Sequence, residues 1–223
     1  MLHQLIITED GSHSIYVPSM DVRFHSKYGA IQESMHMFID AGLRIFMQRQ
    51  THIRIFEMGF GTGLNALLSV LSAEKEKNRI EYVAIDAFPL EKNIQEEINY
   101  CGLLNRPDMQ PVFKKMHDAA WENEVDITPY FTLKKIKADF IRYATTDRFD
   151  IIYYDAFDPG SQPALWRLSI FKKVFEMLVP GGCLLTYCSK GSVRRTMQEA
   201  GFVVEKLPGP KGKREIVRAN VRI

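Results

Sequence analysis

From residue 53 onward, continuous apolar runs of strand length alternate with amphipathic stretches of helical period. The pattern predicts strands at 53–57, 80–86, 130–136, 149–155 and 183–187, and helices at 63–74, 90–100, near Phe140, 168–178 and 192–200. Two further strands, 202–206 and 215–221, have no helix between them, only Leu207-Pro-Gly-Pro-Lys-Gly-Lys213, so they pair antiparallel as a hairpin. Apolar strands alternating with helices build a sheet covered on both faces. The predicted fold is therefore α/β and Rossmann-like: a mostly parallel sheet with helices on both faces, ending in an antiparallel hairpin. Upstream, β-type runs at 2–8 and 14–17 flank Asp10-Gly11 and predict a hairpin. Apolar positions Ile31, Met35, Phe38, Ile39, Leu43 and Phe46 predict a helix over 29–48, broken at Gly42. Residues 1–50 read as an N-terminal extension packed on a core domain of 51–223.

Composition narrows the class only slightly. The 223 residues are 46% apolar with a formal charge of +2, enough to bury a core and too balanced to announce a nucleic-acid or membrane protein. The distribution is uneven: residues 189–223 carry nine Lys and Arg against three Glu, +6, leaving −4 on the rest. No apolar run approaches the roughly 18 residues of a spanning helix, so no membrane association is expected. Three cysteines without metal-ligand spacing, and histidines equally scattered, predict no metal site and a reducing, cytoplasmic location.

The sharpest local feature is Glu57-Met-Gly59-Phe-Gly61-Thr-Gly63-Leu-Asn65, alternate glycines between a predicted strand and a predicted helix. Turns this tight need φ angles that a Cβ disfavours, and their amides and the helix N-terminus can meet a cofactor's polar groups. Gly61-x-Gly63-x-x-Ala66, with Asp86 further along, also satisfies the dinucleotide fingerprint. Glu57, two residues before Gly59, repels a diphosphate but suits a cationic amino acid moiety. Asp86 ends the second core strand, where a carboxylate can accept from ribose hydroxyls. Asp139, with Phe140 beside it, falls near where an adenine would lie, and an Asp there is equally a helix N-cap. At the end of the fourth core strand, Asp155, Phe157 and Pro159 place a carboxylate, an aromatic face and exposed carbonyls where a transferable group would lie. The carboxylate can take the proton that an amine must lose before it attacks.

These motifs resemble the methyltransferase module of the bacterial MnmC/MnmD type. The resemblance rests on the glycine motif, on Asp155-Ala-Phe-Asp-Pro159 with Pro163-Ala-Leu-Trp166, on Gly191-Ser-Val-Arg-Arg195, on Pro180-Gly-Gly182, on Lys213-Arg-Glu215 and on Tyr28-Gly-Ala-Ile-Gln-Glu-Ser34. It implies S-adenosylmethionine as cofactor, held by Glu57, Gly59, Gly61, Gly63, Asp86, Asp139 and Phe140. It implies N-methylation of 5-aminomethyl-2-thiouridine at the tRNA wobble position, with Asp155, Phe157 and Pro159 catalytic. Bifunctional relatives carry a flavin-dependent oxidase; no FAD is expected here, and separate upstream enzymes would supply the aminomethyl nucleotide. Lys190, Arg194, Arg195, Lys211, Lys213 and Arg214 then become phosphate contacts for tRNA. Glu33 and Ser34 precede the glycine loop, where they could close over the cofactor. Transfer to a polyamine or other amine, a nicotinamide oxidoreductase and a non-catalytic RNA-binding module are the competing classes.

Overall fold

The computed structural model describes residues 2–222. Strands β1 (Gln4–Ile7), β2 (His13–Val17) and β3 (Val22–Arg23) form a small antiparallel sheet, the first two joined through Asp10-Gly11 as expected. The helical segment follows as α1 (Ala30–Ser34), a π-helical stretch Met35–Leu43, and α2 (Arg44–Met47). Gly42 does not break it. The helix instead runs so close to the sheet that a Cβ at Gly42 would stand 2.1 Å from Leu185 Cδ1. That approach buries Met37, Phe38, Ile39 and Leu43 in the core.

The core domain follows in chain order as β4 (His52–Met58), α3 (Leu64–Glu76), β5 (Arg79–Ile85), α4 (Lys92–Glu97), α5 (Tyr100–Leu103), α6 (Gln110–Asp118), β6 (Glu124–Thr128) and β7 (Phe131–Ile136). It continues with β8 (Phe149–Tyr154), α7 (Leu168–Glu176), β9 (Leu178–Thr186), α8 (Gly191–Glu199), β10 (Val203–Pro208) and β11 (Glu215–Asn220). The eight strands order as β10-β11-β9-β8-β4-β5-β7-β6. The five strands from β9 to β7 in that order are parallel, and β6, β11 and β10 pair antiparallel, so the hairpin expectation holds.

Three local expectations change. The helix over 90–100 divides at Ile98, whose backbone is extended (ψ 131°). Around Phe140 there is a turn, not a helix: the Asp139 side chain accepts from Ile141 N at 2.9 Å and its carbonyl closes the turn on Arg142 and Tyr143. Helix α6 and edge strand β6 occupy a stretch to which the sequence pattern assigned no element, although Met109, Phe113 and Met116 bury at helical spacing there.

One apolar layer packs under the helix of residues 30–47 and α3, and the other lies beneath α7 and α8. Because the chain moves from β4 outward to β5 and β7, then returns to the other side of β4 with β8, the strand order reverses between β4 and β8. Such a switch point leaves a crevice at the carboxyl ends of the two strands.

Candidate active site

A cavity of about 530 Å³ opens at that crevice. The glycine loop forms one wall, with Gly59, Gly61 and Gly63 at φ of +89°, +51° and +74°, the left-handed region that glycine enters without strain. A Cβ at Gly61 would stand 3.2 Å from the Phe24 ring, so the close roof also requires glycine there. Asp86, directly after β5, accepts from Gly61 N at 3.0 Å and from Phe88 N at 2.8 Å, tying the loop to the neighbouring strand end. Asp139, exposed, and Phe140, buried, border the cavity on the same side.

Across from the loop stands Asp155, directly after β8. Registry pairs Glu57 with Tyr153 and Met58 with Tyr154, so Gly59 and Asp155 leave their strands side by side. The segment after Asp155 is pinned by its own neighbours. Tyr187 Oη donates to Ala156 O at 3.0 Å, Trp166 Nε1 to Phe157 O at 2.7 Å, and Phe157 N to Gln162 Oε1 at 3.1 Å. Phe157 meets Phe24 edge-on, ring centroids 5.6 Å apart, so the aromatic face expected at the acceptor seat is covered by residues from the N-terminal sheet. Pro159 lies outside the cavity lining.

Glu57 occupies a different place from the one its motif position suggests. Side chains alternate along β4, and while Met58 lines the cavity, Glu57 turns into the opposite layer, 1% exposed. In this structure the carboxyl reaches the cavity lining through Asn65. Its Oε1 accepts from Asn65 Nδ2 at 2.9 Å, and the same amide nitrogen donates to Asp155 Oδ2 at 3.1 Å. Asn65 thus links the two acids from the first turn of α3. It also lines the cavity, and its buried Oδ1 has no protein donor among the described residues. That acceptor, the left-handed glycine turns and Asp86 fit an amino acid bearing nucleoside better than a diphosphate, which needs free donors.

Burial dominates the acid–base character of the site. Desolvation, then the neighbouring charge of Glu33, pushes the Asp155 carboxyl up to about 7, and Asn65 and Lys213 oppose the shift. Glu57 is held well above its usual range by burial. His25, which lines the cavity with its Nδ1 3.0 Å from Ser14 Oγ, is pushed down to about 4 by burial. The chain thus brings an acid poised near neutrality and a neutral imidazole to one cavity.

The six basic residues do not behave as one set. Arg195 and Arg214 are exposed. Lys190 lies 3.5 Å from Asp158, and Lys211 pairs with Glu9 at 3.1 Å. Arg194 Nε donates to Ser189 O at 3.2 Å. Lys213 turns inward and pairs with Glu33, itself 6% exposed. Asn65, His25, Tyr187 and the Glu33–Lys213 pair went unassigned or differently assigned from sequence. Asn65 carried a signal, standing two residues past the last glycine on the first helical turn. The cysteines are all free and buried, and among the described residues no group of three or more His, Cys, Asp or Glu could hold a metal.

A family model described as S-adenosyl-L-methionine-dependent methyltransferase matches residues 112–222. With the sheet order and glycine loop, that match makes the chain a class I S-adenosylmethionine-dependent methyltransferase. Within that class its likeness is to proteins of the MnmC type. It is 27% identical over 91% of its length to the tRNA 5-methylaminomethyl-2-thiouridine biosynthesis bifunctional protein MnmC of Stutzerimonas stutzeri. It is 28% identical over 88% to the protein of that name from Actinobacillus pleuropneumoniae. The chain spans about a third of those relatives, 32% of each. Among solved structures, MnmC2 from Aquifex aeolicus shares the fold at a TM-score of 0.78 and 24% identity, over 99% of this chain and 70% of that one. Spermidine synthase from Thermotoga maritima shares it at 0.57 and 12%, over 99% and 72%.

Proposed function

We propose that the chain N-methylates the aminomethyl group of 5-aminomethyl-2-thiouridine at the wobble position of tRNA. The observation that carries this reading is the carboxylate of Asp155, desolvated and poised near neutrality, at the strand end beside the glycine loop in a shared cavity. The names of the relatives supply the nucleotide.

When bound, S-adenosylmethionine supplies an electrophilic methyl on a sulfonium. The glycine loop, Asp86, Asp139, Phe140 and Asn65 are the groups that would hold it. Asp155 accepts hydrogen bonds from the incoming ammonium and takes the proton that frees its lone pair, since an amine with a pKa near 10 is otherwise protonated at neutral pH. Phe24, His25 and Phe157 keep water from the site and restrict the amine to one approach. Overall a methyl group passes to nitrogen and one proton is released. Residues 1–50 act as a cap on the catalytic domain of 51–223. The aminomethyl nucleotide comes from separate upstream enzymes, and the setting is cytoplasmic; among the described residues no helix is long and apolar enough to cross a membrane.

Transfer of labelled methyl to tRNA from cells that accumulate the unmethylated aminomethyl uridine, with fully modified tRNA as control, tests the reading. Label only in the deficient tRNA, located in the methylamino nucleotide, is expected. S-adenosylmethionine binding without label in either tRNA would remove the acceptor assignment. Label in a polyamine would replace it.

A further inference from the structure

Three segments distant in sequence meet behind Asp155. Glu33, on α1, accepts from Ser26 N at 2.7 Å through Oε2 and binds Lys213 Nζ through Oε1. Ser26 follows Phe24 and His25, two of the N-terminal residues that line the cavity with His3 and Met20, so Glu33 fixes this part of the roof from behind. Lys213, from the β10–β11 loop, lies over the Tyr187 ring with its ammonium 4.1 Å from the centroid. The Tyr187 hydroxyl donates to the carbonyl of Ala156, the residue immediately after Asp155. The chain of contacts therefore runs from Ser26 through Glu33, Lys213 and Tyr187 to the Ala156 peptide, joining roof and floor of the acceptor side.

A surface phosphate contact does not explain this arrangement. A lysine for phosphate keeps its ammonium in solvent, whereas this side chain is 27% exposed and is matched by a carboxylate that is 7% exposed. A half-buried pair on this scale is poor value for stability alone, because desolvation offsets much of the attraction. Its worth lies in geometry. Neither member lines the cavity.

We propose that the Glu33–Lys213 ion pair is a positioning unit for the methyl transfer, holding the roof at Ser26 and, through Tyr187, the Ala156–Phe157 peptide just beyond Asp155 in register with the acceptor amine. The inference rests on the proposed methyl transfer. It also removes Lys213 from the tRNA-phosphate set.

The charges facing Asp155 come from every side of this cluster. Glu57 approaches from β4 through Asn65, Glu33 from α1, and Lys213 from the β10–β11 loop. Tyr187 faces it from beyond β9, and His25, from beyond β3, faces Glu33, Lys213 and Asp10. Glu33 raises the Asp155 carboxyl and Lys213 lowers it. Removing Lys213 leaves Glu33 uncompensated, so desolvation and Glu33 drive Asp155 further upward against the Asn65 hydrogen bond alone.

The test compares the whole chain with Lys213→Met, Lys213→Arg and Tyr187→Phe, reading kcat and KM for tRNA separately. Alongside, the Asp155 carboxyl is titrated by carbon NMR, its resonance assigned by its loss in Asp155→Asn. Lys213→Met is expected to lower kcat by at least about tenfold with KM for tRNA little changed. Lys213→Arg restores most of that loss, and the Asp155 titration moves to higher pH in Lys213→Met. Unchanged kcat with a raised, salt-dependent KM for tRNA would return Lys213 to the phosphate contacts and overturn the proposal. So would an unmoved Asp155 titration. If Lys213→Met does not fold, Tyr187→Phe decides: it loses only the hydroxyl on Ala156 O, and a wild-type kcat there overturns the proposal. Should the wild-type chain methylate no tRNA, the proposed function falls, while the Asp155 titration still judges the pair.

Discussion

Asp155 carries a proton at a pH where an exposed aspartate has lost it, because its surroundings solvate the charged form poorly. If it serves as the base it works deprotonated, so kcat/KM for the acceptor should climb with pH through about 7 and level off above. Asp155→Asn should abolish that limb and lower kcat by about 10²-fold or more, with S-adenosylmethionine affinity little changed, as pH–rate profiles and calorimetry would show. The same shift fixes a stability effect of definite sign. Because the folded state holds the proton more tightly than the unfolded one, Asp155 costs stability as pH rises from about 4 to 7, and the cost is complete above that. Asp155→Asn should therefore melt higher than wild type at pH 8 and nearly level with it at pH 4, by about 1–2 kcal/mol at the higher pH once partial exposure is allowed for. Asp155 and the glycines were legible in sequence because each follows a strand within a short, recognisable string. Glu57 was legible as a feature but not in its direction, since strand alternation and the helix above decide which layer a side chain enters. His25, Glu33 and Tyr187 gave no local sign; their roles exist only where separate segments converge.

At the scale of elements, the helix over residues 30–47 shows how a tertiary contact overrides a local rule. Glycine normally weakens a helix, yet Gly42 lets this one approach Leu185 without ending. Gly42→Leu should push the helix off the sheet and cost about 1–3 kcal/mol, read as a lower melting temperature. The loop after β8 depends instead on polar pins. Trp166→Phe keeps the aromatic packing on Tyr154 and Phe171 but removes the Nε1 bond to Phe157 O, worth about 1 kcal/mol. It should lower kcat/KM for the acceptor several-fold while leaving S-adenosylmethionine binding intact, which separate binding and turnover assays would resolve. Parallel core strands were readable because both their faces are apolar. Edge strand β6 carries Glu124 and Asp126 and lacks the continuous apolar run of the core strands, so no strand was predicted there, and the turn at Phe140 took the place of a helix because Asp139 caps the backbone locally.

Over the whole molecule, the +6 of residues 189–223 stood out in sequence, but pairing divides its value. Lys190 and Lys211 are partly neutralised by Asp158 and Glu9, whereas Arg195 and Arg214 are exposed. If tRNA phosphates are met at this edge, Arg195→Ala and Arg214→Ala should each flatten the slope of log affinity against log salt by about 0.7–0.9, and Lys211→Ala by less. Filter-binding titrations across a salt series would measure the difference. The sheet order was not written in any one segment. It follows from handed crossovers and from the return of β8 to the inner edge of β4, and that return creates the crevice holding the site.

Strand β11 lies between β9 and β10, although the chain makes it after both, and the loop before it sends Lys213 back to Glu33. During vectorial synthesis the strands that carry the glycine loop and Asp155 leave the ribosome while that slot is still open. A nascent chain released before residue 213 would hold the site's motifs but neither its rear brace nor a closed sheet. The brace and the pairing of β9 with β10 through β11 therefore arrive late and together, as a step at the insertion of one strand.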